Sequence, residues 1–93
     1  MYTVFQTKSF KKTLKKVSKR KEFDLEFLSQ TLEIIASRRP LPDRYKDHKL
    51  EGEYDTYREC HLNNSLLLIY EVSDIEERIY LIKIGTHPDL FGK

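Results

Sequence analysis

Two prolines one residue apart, Pro40 and Pro42, divide this 93-residue chain into halves with different periodicities. Proline fixes φ, removes a backbone donor and pushes the preceding residue out of the helical region. Pro40-Leu41-Pro42-Asp43 therefore fits neither a helix interior nor a central strand. Whatever helices the chain forms must end before this point.

Ahead of the break, Tyr2, Val4 and Phe5 mark a short strand over residues 1–6. Ser9 is the expected N-cap of a helix running to about Arg20, because Phe10, Leu14 and Val17 recur at i, i+4 and i+7. After Lys19-Arg20-Lys21 a second helix is predicted from about Asp24 to Ser37. Leu25, Leu28, Leu32 and Ile35 form its stripe, which Phe23 and Phe27 broaden. Arg38 and Arg39 complement its C-terminal dipole. Two adjacent amphipathic helices read as an αα-hairpin with both stripes on one sheet face.

Beyond a connector at residues 40–49, strands are predicted at about 49–53, 56–62, 65–72 and 78–84. Asn63-Asn64 suits a tight hairpin turn because Asn tolerates positive φ, and residues 73–77 make the next loop. Leu66 to Tyr70 is apolar on both faces, as a central strand requires. The expected fold is one α+β domain over residues 1–93: β-αα-ββββ and a short tail, with a mostly antiparallel sheet.

Hydrophobic content of 39% supplies one modest core, and no apolar run approaches the roughly 20 residues of a membrane span. The single cysteine, Cys60, excludes an internal disulfide and fits a reducing compartment, so a soluble, cytoplasmic protein is expected. The net charge of +2 conceals an asymmetry. Residues 1–21 hold eight basic side chains and no acid, leaving nine basic against fifteen acidic thereafter. Such a segment, with Lys11, Lys12 and Lys15 outside the apolar stripe, points to a polyanion or an acidic protein as partner.

All three histidines, His48, His61 and His87, lie in the second half beside turns or strand ends. Strand alternation puts Tyr57, Glu59 and His61 on one face, with Arg58, Cys60 and Leu62 on the other. The first set belongs on the sheet face away from the helices, where His48 and His87 could join it. Adjacent Cys60 and His61 point oppositely, which weakens a zinc site or a Cys/His nucleophile pair. With Gly52, Gly85 and Gly92 the only glycines, phosphate-cradling loops are absent, and Ser65 has no nucleophile elbow. What is left is acid–base chemistry without metal or cofactor, which suits RNA because its 2′-OH is its own nucleophile.

Tyr45-Lys46-Asp47-His48-Lys49-Leu50-Glu51-Gly52, then Tyr57-Arg58-Glu59-Cys60-His61, then Gly85-Thr86-His87-Pro88-Asp89-Leu90-Phe91-Gly92 together resemble the YafQ branch of the RelE superfamily. Those proteins are toxins of bacterial toxin–antitoxin pairs and cut mRNA in the ribosomal A site. The resemblance implies a RelE-like fold and a catalytic site of His48, His61 and His87, with Phe91 stacking on a substrate base. Lys46 and Arg58 become candidate substrate contacts, although alternation puts Arg58 on the face opposite His61. Where relatives carry an aspartate after the hairpin, this chain has Ser65, leaving Glu59 or Asp89 to supply a carboxylate. It further implies attack by the 2′-OH on the adjacent phosphate, with His87 preferred as acid and His48 or His61 as base. The implied partners are a cognate antitoxin, the ribosome with its mRNA, and operator DNA only through the antitoxin. The alternative is a catalytically silent member that binds its antitoxin and co-regulates the operon.

Overall fold

A computed structural model describes residues 1–92. The elements are β1 (Thr3–Gln6), α1 (Lys8–Val17), α2 (Leu25–Ala36), β2 (His48–Lys49), β3 (Arg58–His61), β4 (Leu67–Ser73), β5 (Arg78–Gly85) and α3 (His87–Phe91). Short 3-10 turns at Asp43–Tyr45 and Gly52–Tyr54 flank β2. The five strands form one sheet in the order β1-β5-β4-β3-β2, parallel only between β1 and β5. This is the expected α+β architecture.

Phe10 and Val17 of α1, and Leu28 and Ile35 of α2, are buried against Cys60, Leu68, Tyr70, Ile79, Leu81 and Ile84 of the sheet. Both helices thus cover the same face, as their stripes required. Thr31, fully buried in the α2 stripe, is satisfied by the Phe27 carbonyl (2.9 Å) and the Tyr45 hydroxyl (3.0 Å). Leu25 departs from expectation: at the first turn of α2 it overhangs the core and is 63% exposed.

The burial pattern of β5 is set by a bulge. Ile69 pairs with Lys83 but Tyr70 with Leu81, so Ile82 is an extra residue. Ile79, Leu81 and Ile84 all point into the core as a result, despite the uneven spacing. The Thr13 hydroxyl of α1 accepts a hydrogen bond from the Ile84 amide (3.1 Å), tying the helix to the strand just past the bulge.

Several boundaries differ from the sequence reading. Thr7, not Ser9, caps α1, its hydroxyl accepting from the Phe10 amide. That helix ends at Val17 rather than near Arg20. The strand expected at 49–53 shrinks to His48–Lys49, because Gly52 at φ +71 turns the chain into the second 3-10 turn. Neither Asn63 nor Asn64 takes a positive φ. Instead the Asn63 side-chain oxygen accepts from the amides of Ser65 and Leu66, both at 2.8 Å, forming the turn by side-chain mimicry. The tail is a capped helix, α3.

Candidate active site

The antiparallel register places His48 of β2 directly opposite Glu59 of β3, and His61 follows two residues later on the same face. Cys60 and Leu62 point the other way into the core, so the alternation read from the sequence holds. Glu59 is only 7% exposed. Its Oε1 lies 3.7 Å from Nε2 of His48 and 3.7 Å from Nε2 of His61. One largely desolvated carboxylate oxygen is therefore shared by two imidazoles. His48 Nδ1 lies 2.7 Å from the Lys46 carbonyl. A carbonyl can only accept, so Nδ1 is the donor in this contact, and Nε2 faces Glu59.

His87 arrives from the opposite side on α3. This five-residue helix has no buried residue, so its placement depends on its ends. Thr86 and Asp89 form a capping box: the Asp89 amide donates to the Thr86 hydroxyl (3.2 Å) and the Thr86 amide donates to Asp89 Oδ2 (3.1 Å). The guanidinium of Arg20, in the α1–α2 loop, lies 2.8 Å from the same oxygen. Arg20 first, and then Thr86, hold the Asp89 carboxyl well below the usual carboxylate range. Gly92 closes the helix in the left-handed region, φ +72. A Cβ at Gly85 would come 3.1 Å from Asp89 Cβ and 3.4 Å from Leu90 Cδ2, so α3 sits close on β5 where a side chain would be tight.

His48, Glu59, His87 and Phe91 line one open concavity of about 460 Å³, together with Leu50, Glu51 and Tyr54. The His87 and Phe91 rings lie 4.8 Å apart. His61 stands across Glu59 from this space and lines a neighbouring groove with Tyr45, Lys46 and Asn63. Two histidines therefore share the concavity, and the third reaches it through the shared carboxylate.

Other candidates are placed elsewhere. Asp89 is engaged by Arg20 and its own helix cap, so Glu59 is the carboxylate brought to the histidines. Ser65 lies exposed in the hairpin turn ahead of β4, its hydroxyl donating to Asn63 (3.3 Å), and contributes nothing to the concavity. Arg58 clasps Asp47 through Nε (3.3 Å) and Nη2 (2.8 Å) on the other face, while the Tyr70 hydroxyl donates to the second Asp47 oxygen. That triad fastens the residue before His48 to β3 and β4. Lys46 is exposed, in the left-handed region at φ 49, and offers its carbonyl to His48. Lys11, Lys12 and Lys15 are exposed on α1. Cys60 is fully buried, and burial pushes its thiol pKa upward, so it is no nucleophile at neutral pH.

Tyr54 is not legible as a site residue, because the pattern at 49–53 predicts a strand and places Tyr54 in the loop after it. The usable signal was Gly52, two residues earlier, which marks a turn that projects the ring.

The family model for the bacterial toxin of type II toxin–antitoxin systems, YafQ, matches residues 2–92. The chain is 33% identical over 78 residues to the mRNA interferase toxin YafQ of Escherichia coli (strain K12), covering 83% of each. Its structure matches the metal-bound toxin from Helicobacter pylori with a TM-score of 0.90 at 40% identity, covering 98% of this chain and 100% of that one. It matches a chain of the E. coli DinJ–YafQ complex with a TM-score of 0.85 at 31% identity, covering 99% and 100%. Sequence and fold together are those of a bacterial toxin of a type II toxin–antitoxin system. The chain belongs to the YafQ family of these toxins.

The H. pylori structure is of a metal-bound toxin; among the described residues here no group of three or more His, Cys, Asp or Glu side chains has metal-ligand spacing, His48 and His61 each standing 3.7 Å from the Glu59 oxygen.

Proposed function

We infer that this chain cuts mRNA on the ribosome by histidine acid–base chemistry and is held in check by a cognate antitoxin. The observation that carries the reading is the concavity shared by His48, His87 and Phe91, with Glu59 at its base joining His61. His48 Nε2, with Nδ1 already committed to the Lys46 carbonyl, takes the proton from the RNA 2′-OH. The 2′-oxygen bonds to phosphorus, the bond from phosphorus to the 5′-oxygen breaks, and His87 delivers a proton to that leaving oxygen. The products are a 2′,3′-cyclic phosphate and a 5′-OH end. His61, in its protonated form, balances the developing phosphorane charge from beside Glu59. Phe91, against His87, stacks on a base next to the cut.

The exposed lysines of α1 suit ribosomal RNA phosphates, and the same surface suits an acidic antitoxin segment. The E. coli YafQ match in complex with DinJ supports an antitoxin partner, through which operator DNA would be reached.

The test is cleavage of mRNA on programmed ribosomes by the purified chain, with end-group analysis. His87→Ala should lower the rate by on the order of 10²–10⁴, the span of one acid–base group, while the protein stays folded. A soluble His87→Ala protein that cuts at the parent rate overturns the mechanism. A parent chain that binds an antitoxin but leaves the mRNA intact establishes the silent alternative.

A further inference from the structure

The concavity carries more aromatic surface than the chemistry above uses. Tyr54, at the end of the second 3-10 turn, has its ring centroid 6.4 Å from Phe91 in an edge-on arrangement and 6.4 Å from Tyr57 in a stacked one. Phe91 in turn meets His87. A continuous line of rings therefore runs from the reacting histidine to the rim: His87, Phe91, Tyr54, Tyr57.

The hydroxyls of the tyrosines separate into two groups. Tyr2 donates to Asp74, Tyr45 bonds Thr31, Tyr70 donates to Asp47 and Tyr80 donates to Glu76. Tyr54 and Tyr57, the remaining two of six, have no hydroxyl partner among the described residues. Tyr54 is also 45% exposed, far from the burial of an anchor such as Tyr45 at 1%. A ring half open to solvent, with a free hydroxyl, at the wall of the concavity is placed to receive a flat ligand.

We propose that Tyr54, beside Phe91, forms a second stacking subsite that holds a nucleobase neighbouring the cleaved phosphodiester. The subsite rests on the reading of this concavity as an RNA-cleaving site. Exposed single-stranded bases are recognised by stacking on aromatic faces, and stacking tolerates any base because every base has a π-face. The subsite therefore sets how firmly the strand is seated, without demanding a particular sequence. Its contribution is to binding, so it should appear in KM rather than kcat.

The test uses the full chain on ribosomes programmed with a defined mRNA, comparing the parent with Tyr54→Ala, Tyr54→Leu and Tyr54→Phe. Tyr54→Ala should raise KM about 5- to 140-fold, which is the range of 1–3 kcal/mol per stacked base at 1.4 kcal/mol per tenfold. The kcat should stay close to the parent's. Tyr54→Leu should fail similarly although it restores apolar bulk, and Tyr54→Phe should rescue. A second readout needs no cleavage: an mRNA with 2-aminopurine beside the cut and a 2′-deoxy sugar at the cut. Its fluorescence should be quenched by the parent and by Tyr54→Phe, and not by Ala or Leu. A Tyr54→Leu protein with the parent's KM and quench overturns the subsite and makes Tyr54 a packing residue. So does a Tyr54→Ala protein indistinguishable from the parent. If the parent quenches but does not cut the all-ribose mRNA, the catalytic reading fails and base stacking stands. If it neither cuts nor quenches, both fall.

Discussion

Arg20 and Asp89 meet at 2.8 Å across sixty-nine residues of sequence, joining the lysine-rich loop after α1 to the helix that carries His87 and Phe91. With no buried residue in α3, this contact is one of few that fix where the two rings stand. Arg20→Ala should leave the melting temperature almost unchanged, because exposed ion pairs contribute little to global stability. The His87 and Phe91 resonances should nevertheless shift and broaden, and cleavage should fall. Unchanged ring resonances in the Arg20→Ala spectrum would show that the cap alone suffices.

Acid should release α3 late. The Asp89 carboxyl is held below its ordinary range by Arg20 and Thr86, so its contribution is complete above the unfolded value near pH 4. It is lost only as the pH falls through the lower, folded value. An NMR titration should therefore find the Asp89 carboxyl and His87 environment intact at pH 4. In Arg20→Ala the same transition should move up toward pH 4. A transition at the same pH in both proteins would contradict the assignment of Arg20 as the main cause.

Gly85→Ala should damage the site more than the fold. The new methyl would meet Asp89 Cβ at 3.1 Å and Leu90 Cδ2 at 3.4 Å, so α3 must give by a few tenths of an ångström, carrying the His87 and Phe91 rings with it. Misplacement of a catalytic group by about 1 Å can cost on the order of 10²-fold. We expect strongly reduced cleavage with a circular dichroism spectrum and antitoxin binding like the parent's. Parent-level activity would mean that α3 tolerates displacement.

Asp47→Ala should be the reverse case, a loss of stability. It strips the carboxylate from the Tyr70 hydroxyl, which is buried, and from Arg58. Leaving such groups unsatisfied costs about 1–3 kcal/mol, readable as a lower denaturation midpoint. Because β2 is only two residues long, His48 should lose its position as well. A midpoint within error of the parent's would show that water replaces the carboxylate.

The sequence disclosed the helices and central strands because their patterns extend over many residues: Phe10/Leu14/Val17 on α1, Leu28/Ile35 on α2, and the apolar Leu66–Tyr70 run. It also disclosed the face shared by Glu59 and His61, since β3 pairs with β4 over four residues without a register shift. Short features were hidden. β2 is two residues long, and its pairing with β3, which brings His48 to Glu59, is a tertiary fact. The bulge at Ile82 breaks the alternation of β5 without any glycine to announce it. The helix α3 did have a local signal, Thr86-His87-Pro88-Asp89, a capping box with proline in the first turn. The same box occupies the Asp89 carboxylate, so recognising it would have left Glu59 as the carboxylate for the histidines.

Cys60, sealed in the middle of β3 with its ionisation suppressed by burial, gives the chain a built-in clock. Alkylating reagents attack the thiolate, so in the closed sheet the reaction has no route, and each labelled molecule records one opening of β3 from its neighbours. Labelling half-times with and without a bound antitoxin would report how far the partner slows that breathing. With no other thiol in the sequence to interfere, a dye attached to an introduced surface cysteine would mark one place only.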